Sequence, residues 1–461
     1  MKIPNSIILL AQTLMEHDAR AFIVGGFVRD HFLGIESKDI DIEVYGVSTL
    51  NKLKIVLKDL APVHEVGKSF GVLKIKLDDY DIDISLPRTE TKIGKGHKGF
   101  HIQTNGQLDY TTAAKRRDFT MNSIGYDIKT EFFLDPYEGR KDIEKGLIRH
   151  IHDTSFIEDP LRILRAVQFA ARFNFTLHPN TLKLCQTMVK NKMLEELPKE
   201  RIFEEYKKLL LKANKPSQGF ELLDDMKALP SELKALQGIV QDKTYHPEGD
   251  VWVHTMMSID AMAELKTKQN KKDLVLMLAV LCHDFGKVEA TKVENGKITS
   301  IAHEHLLKPT ISFINTLSEE KALLQEIIPL VKEHLTPSQL YKQKSKDPAI
   351  RRLSTRVNIQ DLVLVSKADH LGRTTQEAKN KIYPAGEWLL NKAKKLKVDQ
   401  YKPEAFLLGR HLIDEGMQAG LEFKSILNEA YQEQLEGKIE DEVSAIKWLR
   451  SYIKEEEDKN L

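Results

Sequence analysis

The chain has 461 residues, 41% hydrophobic and 30% charged, with a formal net charge of +1. That length predicts roughly two to four domains, and the near-zero charge excludes an overall basic field that would advertise a nucleic-acid partner. The two cysteines, Cys185 and Cys282, exclude a cysteine zinc finger and a disulfide framework and suit a reducing cytosol, and no apolar run reaches the ~18 residues of a membrane span.

The apolar start Ile7–Ala11 reads as an amphipathic helix rather than a signal peptide. A strand over Ala21–Val24 leads into GGFVRD (Gly25–Asp30), a glycine turn that opens a short helix and presents backbone N–H groups suited to a phosphate chain. The next strand lies in KDIDIEVYG (Lys38–Gly46). Alternation places Asp39 and Asp41 on one face and Ile40, Ile42 and Val44 on the other. Two carboxylates beside a phosphate-binding turn suit Mg²⁺ ions, one activating a 3′-hydroxyl and one neutralising a leaving pyrophosphate. Val72–Leu77 and Tyr80–Leu86 form a hairpin turning at Asp78-Asp79. The second strand offers Asp81 and Asp83, on one face, as a third carboxylate, and spacing does not choose between them.

RRDFTMNS (Arg116–Ser123) brings two forked donors, Arg116 and Arg117, for phosphate or ribose oxygens. Asp118 either holds them or binds a ribose hydroxyl, and Asn122 lies one helical turn on. In FIEDPLRILRAVQFAARF (Phe156–Phe173), Asp159 and Pro160 start a helix. Ile163, Leu164, Val167, Ala170 and Ala171 form its buried stripe, and Glu158, Arg162, Arg165 and Arg172 line the opposite face. That face is either a plain solvated one or a rigid reader of a nucleobase. Cytosine and adenine share an exocyclic amine, so Asp159 accepting from it and Arg162 donating to the adjacent ring nitrogen would admit CTP and ATP and reject UTP and GTP.

Residues 146–245 read as almost wholly helical, with a boundary at the looser Tyr245–Asp250. A second helical unit follows over 250–375, then a charged helical tail with an acidic end at Glu455–Asp458. The lysine runs Lys266–Lys272 and Lys392–Lys397 read as solvated helix faces. His-Asp occurs three times, and only His283-Asp284 follows a continuous apolar run, Leu274–Cys282. A buried His-Asp pair needs a partner, and a metal is the natural one. With His254 upstream and Asp369 downstream, each on an apolar helix, the set resembles the HD phosphohydrolase domain. His303 and His334 resemble the extra ligands of two-metal HD domains, with His305 competing with His303. Lys287 reads as a helix-end cation.

GGFVRD, DID, DIDISLPRTE followed by GKGHKGF (Gly94–Phe100), RRDFTMN, LDPYEGRKDI and EDPLRILR stand in the order seen in bacterial class II tRNA nucleotidyltransferases, whose head is shared with poly(A) polymerases. Residues 20–210, through LPKERIFEEYKKLL, resemble that family closely, and Leu407–Gly437 resembles its closing segment. The resemblance implies an α+β head (1–145) with a polymerase-β-like mixed sheet, a helical neck (146–245), an HD domain (246–375) and a helical tail (376–461). It implies Asp39 and Asp41 as Mg²⁺ ligands and Asp83 as the third carboxylate. Gly25, Gly26, Arg29, Arg117, Arg162 and Arg165 would meet the nucleotide, with Asp159 and Arg162 selecting the base. Ala113 stands where the family often carries an acid, and Gln168 where it often carries arginine. The implied partners are tRNA, CTP and ATP, with neither DNA nor membrane. The HD domain would hold Mg²⁺ or a divalent transition metal, and the setting would be the cytoplasm. Rival readings are addition of the terminal A alone, poly(A) polymerase, and a nucleotide-signalling HD hydrolase. In the last the HD domain comes first, opposite to the order here.

Overall fold

Seven strands of the amino-terminal half pair into one mixed sheet in the order β3-β4-β5-β2-β1-β8-β9. They are β1 (Arg20–Val24), β2 (Asp39–Tyr45), β3 (His64–Val66), β4 (Val72–Leu77), β5 (Tyr80–Ser85), β8 (Gly125–Asp127) and β9 (Phe132–Leu134). A separate hairpin, β6 (Arg88–Lys92) and β7 (Phe100–Thr104), lies between them in sequence. The computed structural model describes residues 1–66, 71–92, 94 and 100–459, so most of GKGHKGF lies outside the described residues. The chain divides into two compact units, Met1–Leu229 and Pro230–Leu461.

The alternating pattern sets the sheet. Ile40, Ile42, Val44, Ile82 and Ile84 are each at most 1% exposed, and burying such a side chain contributes roughly 1.5–3 kcal/mol. The hairpin forms where expected, with β4 antiparallel to β5 and Asp78 at φ 52° in its turn. β5 then pairs in parallel with β2, Asp39 opposite Asp81 and Asp41 opposite Asp83. A slip of one residue would send every carboxylate into the core, so the isoleucines fix the register that clusters the acids.

At the other side of the sheet, Asp127 accepts hydrogen bonds from Arg20, Thr130 and the Lys129 N–H. Burial opposes its charge, but these donors outweigh it and hold the carboxyl below its usual range. A depressed acid contributes stability above its unfolded pKa of about 3.9, lost as pH falls through the folded value. Asp127→Asn is therefore expected to lower stability near neutrality by about 1 kcal/mol, Arg20 being half exposed, and to blunt the loss below about pH 4. Urea melts across that range would read both effects.

The rest of the first unit is helical. Helix Leu161–Phe173 packs on Lys199–Lys212 and Ser217–Asp225 and ends at Asn174, in the left-handed region at φ 56°. Glu158 ends a preceding helix, Asp153–Glu158, so it does not share the arginine face of Leu161–Phe173; the backbone breaks at Asp159-Pro160. In the second unit, helix Asn270–Cys282 is buried continuously from Asp273 to Cys282 and packs against Val251–Glu264, Lys321–Glu333 and Ile359–Leu371. A helix apolar on every side belongs at the centre of a bundle. The tail has its own core of Leu412, Ile426, Ala430, Ala445 and Leu449. Among the described residues no helix is long and apolar enough to cross a membrane.

Candidate functional site

In the first unit, Gly25 ends β1 with φ 71° and ψ −131°, a conformation open essentially to glycine. A Cβ there would meet Asp41 Oδ2 at 3.2 Å and Arg117 Nη1 at 3.5 Å. The turn, the carboxylate and the arginine thus converge on one point. Gly25→Ala is expected to cost about 1–3 kcal/mol through backbone strain and to weaken transfer by displacing Asp41 and Arg117. A thermal melt paired with an extension assay would read both.

Asp39, Asp41, Asp81 and Asp83 share one face of β2 and β5. Asp41 stands on the exposed face of the strand; desolvation of its carboxyl by the surrounding groups, with repulsion from Asp83, Glu43 and Asp39 outweighing the attraction of Arg117, holds it above its usual range. Asp83 lies directly across from Asp41 and binds Lys74 Nζ at 2.8 Å, whereas Asp81 lies across from Asp39 and is exposed. Like charges packed this closely suit a divalent cation, and Asp83 is the one opposite the carboxylate that meets the Gly25 turn.

The arginines are braced by protein groups. Arg29 is 5% exposed; its Nε donates to Asp30 at 2.8 Å and its Nη1 to Asn122 Oδ1 at 2.8 Å. Its guanidinium lies 5.1 Å and 4.9 Å from the rings of Phe169 and Phe173. Asn122 Nδ2 donates to Asp118 at 2.9 Å, and Arg165 Nε donates to the other Asp118 oxygen at 2.7 Å. A continuous chain of bonds thus joins the helix after the glycine turn to Leu161–Phe173. Arg162 donates to the backbone carbonyls of Arg116 at 2.5 Å and Ser155 at 2.9 Å. Asp159 accepts from the Leu161 N–H at 3.2 Å and pairs with Arg201 at 3.6 Å. Gly26 lies against Arg29, 3.6 Å from its Nη2 to an added Cβ. Of the alternatives for Asp118, the structure has it holding Arg165 rather than Arg116 or Arg117. Those two bind Glu43, at 2.6 Å and 2.9 Å, a residue the sequence reading passed over although it follows Asp41 by two on the same strand. Ala113 is buried with Phe22, Val24 and Tyr45. Gln168 is buried with its Oε1 lacking a hydrogen-bond partner.

In the second unit, His254, His283, His303 and His334 converge with Asp284 and Asp369. Each imidazole is fixed through Nδ1: His283 to Val280 O at 2.6 Å, His334 to Val331 O at 2.7 Å, His303 to Ser300 O at 2.8 Å and His254 to Glu248 at 2.9 Å. That leaves every Nε2 turned inward, the arrangement expected of metal ligands. Asp284 stands between two groups. Its Oδ2 lies 3.3 Å from His283 Nε2 and 3.8 Å from His254 Nε2; its Oδ1 lies 3.1 Å from His303 Nε2 and 4.0 Å from His334 Nε2. Asp369 Oδ1 is 3.1 Å from His254 Nε2. Asp284 Oδ1 and His303 Nε2 are buried, face each other at 3.1 Å and have no other hydrogen-bond partner. Such orphaned atoms fit a cation between them, and two clusters sharing one carboxylate fit two metals. His305 is half exposed and turned toward Glu304, which leaves the role to His303.

Three supporting residues were not foreseen. Glu248, its side chain fully buried in the irregular Tyr245–Asp250 segment, holds both His246 and His254 at 2.9 Å. Arg373 Nη2 lies 3.1 Å from Asp369. Lys287 is 7% exposed and donates to Asp284 Oδ2 at 2.7 Å and Gln241 Oε1 at 2.8 Å, so it is part of the site and not a simple helix-end cation. The cluster opens on a cavity of about 790 Å³ that Asp284, His303, His334, Asp369 and Arg373 help to line.

Family models match three successive stretches of the chain. The family described as Poly A polymerase head domain matches residues 21–149, that described as Probable RNA and SrmB- binding site of polymerase A matches 174–237, and the HD domain matches 251–374. A Multifunctional CCA protein of Psychromonas ingrahamii is 33% identical over 383 residues, covering 80% of this chain and 88% of that one; its namesake from Xylella fastidiosa strain M12 is 32% identical over 384 residues with the same coverage. Among solved structures, the Bacillus stearothermophilus CCA-adding enzyme in complex with CTP superimposes with a TM-score of 0.69 at 21% identity, covering 100% of both chains. The Thermotoga maritima CCA-adding enzyme complexed with tRNA superimposes with a TM-score of 0.59 at 20% identity, covering 97% of this chain and 95% of that one. These structures share the fold. The head match and its mixed sheet define a nucleotidyltransferase of the poly(A) polymerase type carrying an HD domain. With relatives this similar over most of its length, the chain belongs to the family of multifunctional CCA proteins.

Proposed function

We propose that this chain adds cytidine and adenosine to the 3′ end of tRNA from CTP and ATP without a nucleic-acid template, and that its second unit hydrolyses phosphate esters. The observation that carries the first part is the convergence of Asp41, Arg117 and the Gly25 turn beside the in-register acid Asp83. The names of the relatives, and the CTP, ATP and tRNA complexes of enzymes with the same fold, support the substrates. In this reading the primer 3′-oxygen forms a bond to the α-phosphorus as the bond to the β-phosphate oxygen breaks, and pyrophosphate leaves. Mg²⁺ held by Asp39 and Asp41, with Asp83, would supply activation of the hydroxyl and neutralisation of the phosphates. The N–H groups at Gly25 and Gly26 cradle the triphosphate, and Arg116, Arg117 and Arg165 face it with forked donors. Asp118, Asn122 and Arg29 brace those groups. Asp159 and Arg162, at the start of a rigid buried helix, select the base.

In the second unit His254, His283, Asp284 and Asp369 would hold one metal, and Asp284, His303 and His334 another. Mg²⁺ or a divalent transition metal there would supply Lewis acidity toward a phosphate ester. Lys287 and Arg373 place positive charge beside the cavity where the phosphate would sit. The finer division into head (1–145), neck (146–245), HD domain (246–375) and tail (376–461) follows the same reading. Two free, buried cysteines accord with the cytoplasm.

The test is extension of three tRNA transcripts, ending before CCA, after C and after CC, with each labelled nucleotide and Mg²⁺. Addition of CC then A, stopping there, is expected. Addition of A alone to the CC-ended tRNA would make the chain an A-adding enzyme, and unlimited A on any RNA a poly(A) polymerase.

A further inference from the structure

Glu43 leaves β2 on the same face as Asp39 and Asp41, two residues past the second. By alternation alone it could be a third metal carboxylate. Its surroundings point elsewhere. The side chain is 1% exposed. Oε1 accepts from Arg116 Nη2 at 2.6 Å and Arg117 Nη2 at 2.9 Å, and Oε2 accepts from the Tyr45 hydroxyl at 3.2 Å. Both oxygens are therefore committed to donors.

The walls around it are apolar. Phe22 stands directly across the ladder from Glu43, packs edge-on to Tyr45 with centroids 4.9 Å apart, and shares a cluster with Val24 and Ala113. A carboxylate placed here is expensive unless paired. Burial opposes its charge, and the two guanidinium groups overcome that and hold it below the usual carboxylate range. The pairing also fixes the arginines. Arg117 Nη2 is on Glu43 while Nη1 reaches the Asn122 carbonyl at 3.3 Å and lies beside the Gly25 turn. Arg116 and Arg117 in turn offer their carbonyls to Arg162.

We propose that Glu43 is a positioning residue of the transferase: it holds Arg116 and Arg117 in the geometry that receives the triphosphate, and it is not a metal ligand. This rests on the reading of the first unit as a nucleotidyltransferase of CTP and ATP. A preset guanidinium fork loses little freedom when it meets a phosphate, so removing the brace weakens nucleotide binding more than the chemical step.

The experiment measures Kd for CTP and ATP with Mg²⁺, without tRNA, and then KM, kcat and the Mg²⁺ concentration for half-maximal rate, in wild type, E43Q and E43D. E43Q is expected to raise Kd and KM about tenfold, the loss of one charged hydrogen-bonding arrangement, with kcat and the Mg²⁺ requirement within about twofold of wild type. E43D keeps the charge but withdraws the oxygens by one methylene, so about threefold weaker binding is expected, a partial rescue. Should E43Q fail to fold, E43D carries the same test. Wild-type Kd in the folded variant, or a raised Mg²⁺ requirement, would overturn the proposal. Because binding is read without tRNA, a wild type that binds nucleotide and fails to extend tRNA counts against the tRNA reading alone.

Discussion

Asp41→Ala is expected to cut nucleotide addition by about a thousandfold or more while leaving the fold intact or slightly more stable. The two effects have one origin. Desolvation by the surrounding groups and the neighbouring Asp83, Glu43 and Asp39 hold the Asp41 carboxyl above its usual range, although the residue lies on the exposed face of β2. An acid raised in the folded state contributes stability below its unfolded pKa, and that contribution is lost as pH rises through the folded value. At neutral pH the charged group is therefore a liability to the metal-free protein. Asp41→Asn should melt no lower than wild type without Mg²⁺, and Mg²⁺ should raise the melting temperature of wild type but not of the variant. A folded Asp41→Ala protein retaining wild-type transfer would remove the site from this strand.

Asp284→Ala is expected to abolish metal binding in the second unit, and with it any phosphohydrolase activity, while nucleotide addition stays within about twofold of wild type because the transferase residues lie in the other unit. Asp284 faces both histidine pairs, so its loss should remove both ions, whereas His334→Ala should remove one and His283→Ala the other. Metal content per chain after dialysis distinguishes these cases. Binding to the folded state alone stabilises by about 2.7 kcal/mol at a hundredfold excess over Kd, so added metal should raise the melting temperature of wild type and not that of Asp284→Ala. Equal loss of both activities in these variants would contradict two separate sites.

What was legible in the sequence was mostly local. The alternation of Asp39-Ile40-Asp41-Ile42, the turn at Gly25 and the apolar run before His283 each state their own structure, because side-chain direction in a strand and burial of an all-apolar helix follow from the residues themselves. The ordered motifs brought the remaining ligands onto the page by resemblance. What escaped was the pairing of side chains far apart in sequence. Glu43 drew no reading at all, because its partners in the Arg116-Arg117 segment come more than 70 positions later. Glu248 lies in a Pro-Gly stretch with no periodicity to mark it. Lys287 looked like an ordinary helix-end cation because Gln241, which with the nearby Asp284 closes over it, lies 46 positions earlier. Arg29 read as a nucleotide contact, while its stacking on Phe169 and Phe173 depends on a helix about 140 residues away.

The paired state of the transferase arginines bears on what the site attracts. Arg29, Arg116, Arg117, Arg162 and Arg165 each already donate to a carboxylate or a carbonyl of the protein. A bare polyanion arriving there meets guanidinium groups already engaged with protein oxygens, and it must compete for their donors. A nucleotide escorted by its own magnesium brings the missing counter-charge and only has to share donors. On the proposed reading, such a site is expected to prefer a metal-bound triphosphate to a stray RNA backbone before any base is read, because its donors are shared rather than free.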